Sequence, residues 1–176
     1  EILTFAPFFP EYTPYINLTG ASLKVVPANT QNFQINFEAF EEMLTDKVAA
    51  VLINTPNNPS GMVYSTDTIK ELARIMTEKS EKYGHDIFLI SDEPYREIVF
   101  EGVDAPYPSK FYKNTLSCYS FSKSLSLPGE RIGYIAVHPE CTDAELISPM
   151  CSQISRGTGH NCPPSIIQLA VAENLE

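Results

Sequence analysis

Residues 48–90 read VAAVLINTPNNPSGMVYSTDTIKELARIMTEKSEKYGHDIFLI, and this stretch decides the fold class. It opens on Val48–Ile53 and closes on Ile87–Ile90, two apolar runs that are continuous rather than alternating. A strand with one wet face alternates; a continuous run is expected of a strand covered on both faces. Between the runs, Asp67–Lys82 has helical spacing. Ile69, Leu72, Ala73 and Met76 form its apolar stripe, Ser65 or Thr66 is placed to cap its start, and Gly84 to end it. Strand, helix and strand in that order, with short connections, is the repeating unit of a parallel sheet.

The same alternation continues outward. Strands are expected at Ile2–Phe5, Leu23–Pro27, Val48–Asn54, Asp86–Ser91, Thr115–Phe121 and Ile132–Val137. Helices are expected at Pro10–Leu18, with Pro14 arguing against it, and at Phe37–Leu44, behind a cap at Asn36 and with Phe37, Phe40 and Leu44 on one face. Two more are expected at Glu140–Ile147 and Pro164–Leu175. The fold class is α/β with a mostly parallel sheet. No internal repeat or low-complexity tract interrupts it, and the proline-rich Asp104–Lys110 is expected as a surface loop.

Composition narrows the function classes. The 176 residues are 43% hydrophobic and 19% charged, as in an ordinary globular chain. Twelve basic against twenty-two acidic residues give a net charge of −10, which argues against a nucleic-acid-binding face. No run approaches the roughly 18 apolar residues that a membrane span needs. Cys118, Cys141, Cys151 and Cys162 form no CxxC pair and have no His at ligand spacing, so no metal site is expected. They read as reduced thiols of a cytoplasmic protein. Glu1 to Phe5 reads as a strand already under way and Leu169 to Glu176 as a helix still running, so a piece of a longer chain is expected.

In open α/β sheets, ligands bind beyond the carboxyl ends of the strands, and four such places are unusual here. After the run ending at Ile53 comes Asn54-Thr55-Pro56-Asn57-Asn58-Pro59-Ser60-Gly61, a stiff loop that either holds the Asn58 amide at a fixed angle or is a plain turn. After Ile90 comes Ser91-Asp92-Glu93-Pro94-Tyr95. A carboxylate at the end of a buried strand is costly unless a cation meets it; the alternative is a helix-capping Asp92 with Tyr95 packed below. After Thr115–Cys118 comes Tyr119-Ser120-Phe121-Ser122-Lys123-Ser124. Lysine is the residue of Schiff-base chemistry, although a solvated loop lysine is its commoner fate. Last comes Gly129-Glu130-Arg131-Ile132-Gly133, where Arg131 is either a phosphate binder approached closely between glycines or half of a surface ion pair.

Taken in order, Asn–Pro–Ser–Gly, Asp–x–x–Tyr, Ser–x–x–Lys and Gly–x–Arg–x–Gly resemble the class I/II aminotransferases, the pyridoxal-phosphate enzymes of the aspartate aminotransferase fold type. Pro7-Phe8-Phe9-Pro10-Glu11-Tyr12 is similar to that family's Pro–x–aromatic–Pro–x–Tyr segment, and the likeness runs over residues 1–176. Ser60 stands where Thr is more usual, and Phe9 where Tyr or Trp is frequent.

The resemblance implies a three-layer fold with helices on both faces of the sheet, and pyridoxal 5'-phosphate as cofactor. It implies Lys123 as the lysine of the internal aldimine and as the shuttle of the proton between the substrate Cα and the cofactor. Asp92 is implied as partner of the pyridine nitrogen, with Asn58 and Tyr95 on the ring's 3′ oxygen. Ser120, Ser122 and Arg131 are implied phosphate ligands, and Phe9 the ring-stacking aromatic. Tyr12, Tyr64, Arg96 and Arg156 are residues that could sit near the site, and no role is assigned to them.

The implied activity is amino-group transfer between an amino acid and a 2-oxo acid, in a homodimer. Lyases of the same fold and a non-catalytic ligand-binding domain of a regulator share these residues and stay open as alternatives. The family's phosphate-cradling helix and a partner-donated tyrosine fall upstream, and its substrate-carboxylate arginine falls in a small domain downstream. Residues 1–176 are then expected to be part of the large domain, inactive alone.

Overall fold

The computed structural model describes residues 1–175. Six strands form one sheet: β1 (Ile2–Phe5), β2 (Leu23–Val26), β3 (Ala50–Asn54), β4 (Phe88–Asp92), β5 (Thr115–Ser120) and β6 (Gly133–Val137). Their spatial order is β2-β1-β3-β4-β5-β6. The first five are parallel, and β6 runs antiparallel to β5. The helices are α1 (Tyr12–Asn17), α2 (Phe37–Met43), α3 (Thr66–Tyr83), α4 (Phe121–Ser124), α5 (Ala144–Gly157) and α6 (Ser165–Glu173).

The continuous runs are explained by what covers them. On β3, Val51 and Ile53 turn to one face and join Phe40 of α2 and Ile69, Leu72, Ile75 and Met76 of α3 in the main core. Leu52 turns to the other face, where Tyr12 and Ile16 of α1 close over it. Helices on both faces make the three layers that the sequence implied. Ser65 caps α3 by accepting from the Thr68 N–H, and Gly84 ends it in the left-handed conformation, φ 72°. Asn36 caps α2 in the same way, through the Ala39 N–H.

Several boundaries differ from expectation. The first helix is shorter than Pro10–Leu18, and Pro14 sits in its first turn, where the missing N–H is tolerated. The helix expected at Glu140–Ile147 begins at Ala144 and runs through Pro149 to Gly157. An internal proline typically costs about 3 kcal/mol, so the sequence reading stopped ahead of it. Asp104–Lys110 is only partly a surface loop. Pro106 and Pro108 are buried, and Pro108–Lys110 forms a 3-10 turn.

The registers set up the site. Asn54 of β3 lies beside Asp92 of β4, Asp92 beside Cys118 of β5, and Ser120 beside Gly133 of β6. Because β6 is antiparallel, its amino end meets the carboxyl ends of the other strands, which brings Arg131 to the same edge.

Candidate active site

At that edge a cavity of about 260 Å³ is lined by Phe9, Asn58, Asp92, Tyr95, Ser120, Ser122, Lys123 and Arg131. All eight residues singled out in the sequence therefore converge, although they come from five separate segments. A wider cleft of about 620 Å³ adjoins it and shares Asn58, Tyr95 and Lys123.

Asp92 is the last residue of β4 and begins no helix, which removes the capping alternative. The Tyr12 hydroxyl donates a short hydrogen bond to its Oδ2. Burial pushes the Asp92 carboxyl above its ordinary value, the Tyr12 hydrogen bond pulls it back, and the charge of Glu93 adds to the rise. The same burial, with the Asp92 charge beside it, drives the Tyr12 phenol far up, so Tyr12 stays protonated as a donor. Cys118, next to Asp92 in register, is pushed up to about 12, chiefly by burial, and is a thiol at neutral pH.

The loop after β3 is wound on its own asparagines. Asn54 donates from Nδ2 to the Asp92 carbonyl at 2.9 Å and accepts the Asn58 N–H on Oδ1 at 2.6 Å. The Asn57 side chain accepts the Ser60 hydroxyl at 2.7 Å and donates to the Pro7 carbonyl at 3.2 Å. This joins the loop to the segment that carries Phe9. Phe9 meets Tyr12 edge to face, with ring centroids 5.6 Å apart.

Lys123 projects from the single-turn helix α4, whose cap is Ser120. The Ser120 Oγ accepts the Ser122 N–H at 3.1 Å and donates to the Ser122 hydroxyl at 2.7 Å. The Lys123 Nζ stands 5.9 Å from the centroid of the Tyr95 ring. Arg131 has a left-handed backbone, φ 53°, and donates from Nη1 to the Pro128 carbonyl at 2.6 Å. Among the described residues, neither Lys123 nor Arg131 pairs with a carboxylate, so the surface ion pair weighed for Arg131 is not formed. The flanking glycines do not act as expected. Gly129 has open space around it, and a Cβ at Gly133 would collide with the Tyr119 carbonyl, so Gly133 serves the approach of β6 to β5 rather than of a ligand.

The cavity brings together a half-buried carboxylate, two cations that pair with no carboxylate among the described residues, and two hydroxyls. That donor set suits a flat ligand that carries both a cationic nitrogen and a dianionic group, which is the charge pattern of pyridoxal phosphate. Sequence reasoning quoted Tyr12 as the last residue of the Pro–x–aromatic–Pro–x–Tyr segment without its bond to Asp92, and it missed Asn54, which carried no signal apart from ending a buried strand.

The sequence model of the family described as Aminotransferase class I and II matches residues 1–176. The chain belongs to the class I and II aminotransferases. Relatives within that family include aromatic-amino-acid aminotransferase 2 of Thermococcus litoralis, 31% identical over 99% of this chain and 43% of its own length. An aspartate aminotransferase of Thermotoga maritima is 32% identical over 100% of this chain and 44% of its own. Among solved structures, an amino transferase from Eubacterium rectale superposes with a TM-score of 0.92 at 50% identity, covering 95% of this chain and 42% of that one. This aminotransferase chain thus spans less than half the length of the relatives it matches. No helix of the described residues is long and apolar enough to cross a membrane.

Proposed function

We propose that the protein containing this chain is a pyridoxal-phosphate-dependent aminotransferase that moves an amino group between an amino acid and a 2-oxo acid, and that residues 1–176 are part of its large, cofactor-binding domain. The observation that carries the reading is the convergence of Asp92, Tyr95, Lys123, Arg131, Ser120 and Ser122 on one cavity, with the half-buried Asp92 carboxylate held by the Tyr12 hydroxyl.

Pyridoxal phosphate, when bound, supplies an electrophilic carbonyl carbon and a ring that takes up the electrons left at the substrate Cα. The chain's residues supply the rest. Asp92 would hold a proton-bearing ring nitrogen by charge, and Tyr12 would keep that carboxylate oriented and ionised. Asn58 and Tyr95 would donate to the ring hydroxyl oxygen, and Phe9 would cover one ring face. Ser120, Ser122 and Arg131 would bind the phosphate. Lys123 Nζ would take the proton from the substrate Cα and return it as general base and then acid.

A homodimer is the assembly proposed for the whole protein. The four unpaired cysteines support a reducing, cytoplasmic setting. The test uses the full-length protein. With pyridoxal phosphate it should absorb in the visible, lose that band on borohydride reduction, and yield the reduced label on Lys123. Amino acids and 2-oxo acids should then exchange the amino group. Recovery of the label on a different lysine would remove the reading.

A further inference from the structure

The loop that carries Tyr95 is held by a charged pair that the reaction itself does not use. Glu93 and Arg96 flank Tyr95, and both are buried, at 3% and 7% exposure. Glu93 Oε2 accepts from both Arg96 Nε, at 3.0 Å, and Arg96 Nη2, so that two guanidinium N–H groups converge on one carboxylate oxygen. The second Glu93 oxygen accepts the Ser117 hydroxyl of β5 at 3.2 Å, and the Glu93 N–H donates to the Cys118 carbonyl at 2.8 Å. Arg96 donates from Nη1 to the Ala105 carbonyl at 2.8 Å, and its guanidinium lies 3.6 Å from the centroid of the Tyr107 ring. One carboxylate and one guanidinium thus tie β5, the turn around Tyr95 and the far end of the 94–108 loop to each other.

A buried ion pair is a poor stabiliser compared with apolar residues of the same volume, because desolvation offsets the attraction. What it provides is a fixed angle, since both Glu93 oxygens and three Arg96 nitrogens are each committed to a hydrogen bond. Pro94 and Tyr95 lie between its two members, and Glu93 itself is Asp92's immediate neighbour in sequence. We propose that Glu93 and Arg96 are positioning residues of this site, a strut that fixes the Tyr95 hydroxyl and the Asp92 carboxylate relative to Lys123. The proposal rests on the aminotransferase reading for its functional consequence, but not for its structural one.

Removal of Arg96 alone strands a buried Glu93 charge and threatens the fold. The diagnostic variant is therefore the double one, Glu93→Gln with Arg96→Met, in the full-length protein. It removes both charges and is expected to melt within a few degrees of the parent. In the cofactor-free protein, the amides of Arg96 and Ile98, which bond to the Glu93 and Tyr95 carbonyls, should exchange at least about tenfold faster while those of β3 keep their protection. In the loaded protein, turnover should fall about a hundredfold with little change in KM, as displacement of a positioned group does. Parental exchange at Arg96 and Ile98, or faster exchange with parental turnover, would overturn the proposal. A parent that takes up no pyridoxal phosphate would sink the aminotransferase reading instead, and the exchange measurement would then decide the strut alone.

Discussion

Replacing Asp92 with asparagine separates two effects that the native carboxylate combines. Burial raises its folded-state pKa above the unfolded value of about 3.9, so the ionised group destabilises the cofactor-free fold. That penalty is absent below pH about 4, grows as pH rises toward the folded value, and is complete above it. Asp92→Asn should therefore raise the unfolding midpoint of the cofactor-free protein at pH 7, with the difference vanishing near pH about 4, as thermal melts across pH would show. In the loaded enzyme the same change should lower turnover at least about a hundredfold, since the counter-charge to the ring nitrogen is gone. Near-normal turnover would mean that Asp92 is not a cofactor ligand. Tyr12→Phe acts in the opposite sense on the same carboxylate. Loss of the phenol removes the one interaction holding the Asp92 pKa down, so the variant should bind cofactor less tightly by roughly tenfold, a charge-assisted hydrogen bond being worth about 1.5–3 kcal/mol. Equilibrium titration of visible absorbance would read it. Asp92 and Lys123 were legible from the sequence because unusual residue types end buried strands. Tyr12 was legible only as the end of the Pro–x–aromatic–Pro–x–Tyr segment; its bond to Asp92, 80 residues away, was not legible.

Strands and helices differ in how well they announced themselves. β3 and β4 were legible because burial on both faces leaves no polar alternation, and α3 because its stripe, its Ser65 cap and its Gly84 stop agree. The direction of β6 was not legible. Its residues are mostly exposed, and antiparallel pairing is decided by the path of the preceding loop rather than by any side chain of the strand. The extent of α5 was hidden by Pro149. At this scale Gly133 is the most exacting position. A methyl group there meets the Tyr119 carbonyl and the Ser120 Cα, both backbone atoms of β5 that cannot move aside cheaply. Gly133→Ala should destabilise the fold by about 1–3 kcal/mol and should weaken phosphate affinity as well, because Ser120 and Arg131 sit at the two ends of that contact. Urea unfolding alongside phosphate-competition titrations would separate the two losses. Unchanged phosphate affinity in a folded variant would show that the β5–β6 spacing does not govern the placement of Ser120 and Arg131.

Across the whole molecule, apolar surface is distributed unevenly. Leu146, Met150 and Ile154 lie along one side of α5 at four-residue spacing, exposed at 61%, 56% and 62%, and Tyr134 and Ile135 stand half-exposed on the edge strand β6. A contiguous apolar stripe beside an unprotected strand edge favours association. The 176-residue chain should therefore form oligomers in light scattering, and the pair Leu146→Lys with Ile154→Lys should reduce them without lowering the melting temperature, since neither side chain is in the core. A purely monomeric parent would contradict this. The antiparallel entry of β6 also orders events in time. Ser120 and Gly133 meet across one short loop, whereas β1 must close on β3 over a long span, with Thr4 bonding the Leu52 carbonyl 48 residues away. Loop-closure entropy delays the distant pairing. In pulsed hydrogen exchange during refolding, β5 and β6 should gain protection first and β1 later. The lysine-bearing turn is then built before the segment that delivers Phe9 and Tyr12, so a refolding chain should bring Lys123 and Arg131 together early and acquire its capacity to retain a planar ring only in the slower phase.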